Sequence, residues 1–356
     1  MTGPGEAQPS AISRRQLSPR LRTATRAAVA VAIAGVTLLI VAQHALSSDN
    51  EWLELSRYLP FVGLLLPALA AAVASFWLGR RWVVASVATV ALLTTLGMGL
   101  RWNPRDDGTQ RVRVMTYNIK VQDARTPRAR VQALAAEVAR HDPDILVMQD
   151  ADGLLQRRGD PALPMGPVFG LPHVHAAGQY VVASRFDLHG CGTGPAAVPG
   201  EEPQYVRCTV DARGVLLNVV TAHFESPRQG LNAARREGLD GADDWQGNYA
   251  RRLGQARALA RDLAGARGPL LVAGDLNAVE SSPVIRALLA IGLRDAFSSA
   301  GRGYGYTHGH SLRLRHSFLR IDHILVSPDV GVMDSFVGQR NASDHRPVIA
   351  DLALRR

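Results

Sequence analysis

Three uncharged apolar runs, residues 27–46, 59–79 and 82–100, dominate the first hundred positions. Each is about 20 residues long, the length at which a helix crosses a bilayer core of roughly 30 Å. A single run would suit a buried core helix or a cleaved leader. Three in succession predict three transmembrane helices, because a leader explains only the first. Arg14, Arg15, Arg20, Arg22 and Arg26 precede the first run, and Arg80 and Arg81 separate the second from the third. The loop between the first two carries Asp49, Glu51 and Glu54 against Arg57. Positively charged flanks stay in the cytoplasm. The tail and the second loop are therefore expected inside, and the chain from residue 101 outside: a multi-pass protein of the cell membrane. Residues 1–26, rich in Pro, Ser, Gly and Arg, are expected to be a disordered cytoplasmic tail. Residues 101–110 read as a polar linker, and 111–356 have the composition of a folded extracytoplasmic domain.

The formal charge of the 356 residues is +9. Up to residue 110 there are ten Arg against six acidic residues; beyond it, 30 basic against 25 acidic. That excess is compatible with an anionic substrate without requiring one. Lys120 is the sole lysine, which reads as compositional bias. The two cysteines, Cys191 and Cys208, form no C-x-x-C pair, so a structural zinc site is not expected. In an oxidising compartment they would bridge; two thiols packed as small apolar side chains are the alternative.

From residue 111 the apolar patterning reads as short strands at 111–118, 144–150, 180–185, 205–211, 215–222, 270–277, 320–326 and 348–354. Helices are expected at 127–140, 249–263 and 283–289, and a polar loop at 229–247. Hairpin-linked strands mixed with helices argue for an α/β sandwich with mixed sheets, not a doubly wound parallel sheet.

Polar residues close these strands. Leu270-Leu-Val-Ala-Gly-Asp-Leu-Asn277 is a buried strand ending in a carboxylate and a carboxamide two residues apart. Asn118, Asp150, His223, Asp322 and His345 end or begin others, with Asp344 beside His345. Solvated turns would place one or two such residues by chance, and strand ends at one sheet edge are where sites are built. His308, His310 and His316 read as loop histidines.

Met115-Thr-Tyr-Asn118, Met148-Gln-Asp150, Thr221-Ala-His223, Gly274-Asp-Leu-Asn277, Arg320-Ile-Asp-His323 and Ser343-Asp-His345 resemble, in order, the motifs of the endonuclease/exonuclease/phosphatase superfamily. The resemblance spans residues 111–354. It implies a four-layered α/β sandwich of two packed mixed sheets with helices outside, and Mg²⁺-dependent phosphoester cleavage, with Mn²⁺ as a substitute. It also implies roles. Asp150 and Asn118, with Asp344, would hold the metal; Asp275 would orient or deprotonate water; Asn277 would hold that water or the phosphate. His345, its tautomer set by Asp322, and His223 would meet the phosphoryl group. Such chemistry needs a cation on the phosphoryl oxygens and an oriented water. Where the family carries Glu after Gln, this chain has Asp150, one methylene shorter, which bears on metal affinity.

These readings predict a membrane-anchored, extracytoplasmic metal-dependent phosphoesterase. Its expected partners are a phosphoester substrate (lipid head group, nucleic acid or other) and the bilayer, with no obligate protein partner. The alternatives are a catalytically silent, membrane-tethered binding module of the same fold and a secreted-side nuclease. A silent relative would have lost one of Asn118, Asp150, Asp275, Asn277, Asp322 and His345 to an unrelated side chain, and all are present.

Overall fold

In the computed structural model, residues 18–354 are described apart from 47–49, 105–110, 123–124, 156–167, 196–203, 238–240 and 310–315. The expected tail before Ser18, the linker from 105 to 110 and His310 lie outside the described residues.

The N-terminal region packs α1 (Pro19–Ala45), α2 (Glu51–Ser56), α3 (Val62–Ser75) and α4 (Arg80–Leu92), followed by one π-helical turn at Leu93–Gly97. The expectation of three bilayer-length helices needs correcting. Among the described residues only α1, at 27 residues, is long and apolar enough to cross a membrane. The second run keeps α-helical bonding over 14 residues around an internal Pro67. Its ends tighten into i→i+3 turns, such as Gly63 N–H to the Pro60 carbonyl and Leu78 N–H to the Ser75 carbonyl. At 1.5 Å per residue, 14 residues rise about 21 Å. The third run starts at Arg80 and loses its α register after 13 residues, where the π turn begins. Apolar length alone does not reveal where a helix tightens or widens. At the other end, α1 begins at Pro19, inside the stretch expected to be disordered: Ser18 accepts from the Leu21 N–H and Pro19 occupies the first turn.

The remainder is built from β1 (Arg101–Trp102), β2 (Arg111–Asn118), α5 (Arg128–His141), β3 (Ile145–Gln149), α6 (Asp152–Leu155), β4 (His173–Ala177), β5 (Tyr180–Ser184), β6 (Leu188–Thr193), β7 (Tyr205–Ala212) and β8 (Val215–His223). Then come α7 (Arg228–Glu237), α8 (Ala242–Leu263), β9 (Leu270–Asp275), α9 (Pro283–Leu289), β10 (Arg294–Asp295), α10 (Ala296–Ala300), β11 (Arg302–Gly303), β12 (Asp322–Val326), β13 (Val330–Val337) and β14 (Val348–Leu354). The stretch 229–247, expected to be loop, is mostly helical in α7 and the start of α8. Its polar sequence hides a buried stripe, because Trp245 and Asn248 pack inward on α8.

Two six-stranded mixed sheets, ordered β10-β12-β9-β8-β7-β6 and β13-β14-β2-β3-β5-β4, stack face to face. Side chains alternate across β2: Val112 and Val114 enter the inter-sheet core, while Met115 and Tyr117 pack on the opposite face against α5 residues Val131, Leu134 and Val138. Each fully buried apolar side chain of this kind contributes about 1.5–3 kcal/mol. The other sheet buries its outer face under α8 and α9. Helix, sheet, sheet, helix is the expected four-layer arrangement.

Each sheet has one central parallel pair, β2/β3 and β8/β9. Parallel neighbours end at the same edge, so Asn118, Gln149, His223 and Asp275 all reach one rim. The antiparallel neighbours β12 and β14 begin at that rim, where Asp322 pairs with Asp275 and Val348 with Thr116. The topology thus gathers four strand ends and two strand beginnings at one end of the sandwich.

Candidate active site

One residue back from the rim, the motifs tie the sheets together. The buried Gln149 amide donates to Thr221 Oγ1 at 2.8 Å on the opposite sheet and to Thr116 Oγ1 at 3.2 Å on its own. Gly274 sits where Ala222 passes so close that an added Cβ would meet the Ala222 carbonyl at 1.9 Å. Only glycine allows Asp275 to follow at that position.

Asp275 is the focus. Its Oδ2 accepts from Asn118 Nδ2 at 2.9 Å, across the inter-sheet gap, and lies 3.5 Å from His223 Nε2 and 3.6 Å from His345 Nε2. Its Oδ1 accepts from the Asn277 N–H at 3.1 Å. Burial alone would raise the Asp275 carboxyl pKa, but His345, His223 and Lys120 outweigh it and hold the group well below the usual carboxylate range. His345 Nδ1 meets Asp322 at 2.9 Å. Beside an ionised carboxylate that nitrogen is the donor, which leaves Nε2 facing Asp275. Burial alone would lower His345; the Asp322 and Asp275 carboxylates reverse the sign and raise it. Ser343 Oγ ties the last loop to β2 by donating to the Asn118 carbonyl at 2.7 Å.

Asp150 lies across the pocket with a cation already on it: Lys120 Nζ is 2.6 Å from Oδ2, and Gln122 Nε2 donates to Oδ1 at 2.8 Å. His223 Nδ1 is 3.9 Å from Asp150 and also meets the Gln179 amide oxygen. Burial would raise Asp150; His223 and Lys120 lower it instead. Lys120, Asp150 and Asn277 all take left-handed backbone, at φ 52°, 52° and 49°. Non-glycine residues adopt it rarely, and functional sites are enriched in it.

The structure brings Asn118, Asp150, His223, Asp275, Asp322 and His345 together. The Asn277 side chain turns away from the pocket floor and donates to the Phe224 carbonyl at 2.8 Å. Asp344 lines an adjoining cavity with Asn277 and His308. The Asp150 carboxylate and the Asn118 carboxamide oxygen are donors of the kind a hard divalent cation takes; here Lys120 and Gln122 hold both Asp150 oxygens, and the Lys120 N–H donates to Asn118 Oδ1 at 3.3 Å. Asp275, Asp322 and His345 form a second candidate group, their ligand atoms within 4.8 Å of one another.

Three neighbours of the site escaped sequence reasoning. Lys120 was set aside as compositional bias. His308, read as a loop histidine, stacks on His345 with ring centroids 4.4 Å apart. Tyr58, between α2 and α3, donates its hydroxyl to the Asn277 carbonyl at 2.7 Å. Around it, Glu54 accepts from Ser282 Oγ at 2.8 Å, pairs with Arg57 at 3.2 Å and lies 3.8 Å from the buried Arg252. Trp245 Nε1 donates to the Glu51 carbonyl at 2.8 Å. The sole lysine, two residues after a site asparagine, was the one signal available for Lys120; contacts across some 200 residues leave no local signature.

The profile of the Endonuclease/Exonuclease/phosphatase family matches residues 115–345, which hold every one of these strand-end residues. The chain belongs to this family. As a member it is a metal-dependent hydrolase of phosphoester bonds. The endonuclease/exonuclease/phosphatase from Bacteroides vulgatus is similar at 20% identity and TM-score 0.51, covering 69% of this chain and 100% of its own. D. rerio TDP2, complexed with a single strand DNA product, is similar at 15% identity and TM-score 0.51, covering 69% and 100%. The AP endonuclease from Archaeoglobus fulgidus is similar at 18% identity and TM-score 0.50, covering 67% and 98%. These likenesses show a shared fold. No curated protein sequence matches the chain.

Proposed function

We propose that this family member is a membrane-anchored, Mg²⁺-dependent phosphoesterase whose catalytic sandwich lies outside the cytoplasm. The observation that carries the chemistry is Asp275, a buried carboxylate kept ionised and aimed by Asn118, His223 and His345. Asp275 orients a water and takes its proton as the water oxygen bonds to phosphorus. His345, fixed by Asp322, binds the phosphoryl oxygens, and His223 donates a proton to the departing alcohol oxygen as the old P–O bond breaks. Asp150 and Asn118 would hold the metal, and Asn277 shapes the loop that follows the base. A bound divalent cation supplies charge neutralisation at the phosphoryl oxygens. The shorter Asp150, shared with Lys120, sets a higher Mg²⁺ requirement.

Several features support the membrane placement. Among the described residues, all the exposed large apolar side chains except Leu216 fall within residues 21–102; Val31, Leu38, Leu66 and Phe76 are 72%, 67%, 76% and 61% exposed. Apolar exposure on that scale marks a membrane or partner surface. The segment from α2 to Tyr58 packs on the sandwich, as expected if that loop and the catalytic domain share one side. Arg80 and Arg81 lie at the start of α4, across a helix from that loop. Cys191 and Cys208 form a disulfide, which suits an oxidising compartment.

The test uses the full chain in lipid nanodiscs with a panel of phosphodiesters and phosphomonoesters. Hydrolysis that a chelator abolishes and Mg²⁺ restores is the expected result; Asp275→Asn should remove it. A reporter that functions only in the cytoplasm, fused after Arg356, should stay dark.

A further inference from the structure

Beside the catalytic pocket, of about 350 Å³, lies a second cavity of about 740 Å³. Ser226, Arg228, Asn277 and His308 line both, so the two communicate at the mouth of the site. The second cavity is walled by Leu55, Leu59 and Pro60 from the α2–α3 connection on one side, and by Leu231 of α7 with Phe318 and Leu319 on the other. Its size is that of a ligand pocket, and its walls are those of an apolar one. The catalytic pocket, by contrast, presents Lys120, Arg228, His308 and His345 beside Asp275 and Glu225. One end of the combined space therefore suits a phosphate and the other a hydrocarbon.

The apolar wall has a particular origin. Leu59 and Pro60 lead directly into α3, whose outer face is exposed and apolar at Leu66, Leu69 and Val73. Leu59 itself is 50% exposed. The cavity opens where the chain would pass from the sandwich into the bilayer. A nucleic acid would want a cationic track along its strand; this second cavity has one arginine at its mouth, Asp344 in its lining, and walls beyond of Leu55, Leu59, Pro60, Leu231 and Leu319 with Tyr58 and Phe318.

We propose that the cavity receives the hydrocarbon chain of an amphiphilic phosphoester drawn from the membrane, while its phosphate reaches Asp275 through the Asn277–His308 mouth. The proposal rests on the hydrolytic reading above and names the substrate class: a membrane lipid. The N-terminal segment then contributes half of the substrate site.

The experiment compares alkyl p-nitrophenyl phosphodiesters of ethyl, hexyl and dodecyl chain length on the full protein in phosphatidylcholine nanodiscs. The reacting bond stays constant and only the chain varies. Burial of the added methylenes should raise kcat/KM at least about tenfold from ethyl to dodecyl. Leu231→Arg, on the partly exposed face of α7, and Leu55→Trp, which fills the cavity from the opposite wall, should each collapse the dodecyl-to-ethyl ratio. The ratio cancels any general loss of active protein. If ethyl and dodecyl esters react alike, the cavity is not a chain site and the hydrolytic reading stands. If the preference exists but neither variant changes the ratio, enrichment in the bilayer explains it and the proposal is overturned. If none of these diesters is hydrolysed the proposal is overturned, and the hydrolytic reading fails with it only if the phosphomonoesters are left intact as well.

Discussion

Asp322 and His323 are neighbours on β12, and each belongs to a buried carboxylate–histidine pair. Strand alternation sends them to opposite faces. Asp322 holds His345, whose second ring nitrogen stops 3.6 Å from Asp275, beyond hydrogen-bond reach, in a ring that lines a pocket. His323 is held by Asp295 at 2.7 Å and meets the Ala278 carbonyl at 2.8 Å, so both its nitrogens are engaged. Asp295 in turn takes Arg320 at 2.7 Å and the Ser298 N–H at 2.8 Å. Burial and pairing are common to the two. What separates them is saturation: the His323 pair has its partners inside the protein, and the His345 pair keeps one valence turned to the pocket.

The largest expected effect breaks the open pair's focus. Asp275→Asn keeps the shape and removes the base, and should lower kcat/KM by about 10³-fold or more with the melting temperature little changed. Parent-like turnover would remove Asp275 from its role. The saturated pair should respond in the opposite way. Asp295→Ala leaves His323 buried without its carboxylate and Arg320 with Glu280 alone, and should cost about 3 kcal/mol in denaturant unfolding, while activity per folded molecule is retained.

The same pair gives a pH test. Burial alone would raise Asp295, but Arg320 and then His323 hold it well below the ordinary carboxylate range. A depressed carboxyl contributes stability above its unfolded pKa of about 4 and loses it as pH falls towards the folded value. Asp295→Asn should therefore flatten the acid limb of the stability curve below about pH 4; an unchanged limb would show that Asp295 is not ionised in the fold.

Remote from both pairs, Cys208→Ser opens a loop of sequence separation 17. It should cost about 3 kcal/mol in the chain-entropy picture and leave the open pair's chemistry alone. Mass spectrometry of unreduced protein should find no alkylatable thiol. The smallest effect comes from the loop joining the pairs, where Tyr58 holds the Asn277 carbonyl and His323 the next one. Tyr58→Phe should cost about 1 kcal/mol and slow turnover; a change in stability alone would make Tyr58 merely structural.

The strand ends were legible in the sequence because each motif couples an apolar run to a polar terminus, and those runs became β2, β3, β8, β9, β12 and β14. Of the adjacent Asp322 and His323, strand alternation turns the first towards His345 and the second towards Asp295. Three features were not legible. The first turns of α8, before the expected helix at 249–263, set Trp245 and Asn248 inward beside the polar Asp243 and Asp244. The apolar runs kept their composition while α3 and α4 shortened. Tyr58, Lys120 and His308 owe their places to partners far along the chain or to loop geometry, which no local pattern encodes.

The docking of α2 against the sandwich changes what the N-terminal segment is. Glu54 sits among Arg57, Arg252 and Ser282, and Tyr58 reaches the residue after next from Asp275, the proposed base. Cutting the chain between helices and sandwich would strip Arg252 of its carboxylate and uncover Trp245. The same segment is a keystone: losing it would not release a working enzyme but dismantle one, so under the proposed anchoring activity and attachment are inherited together.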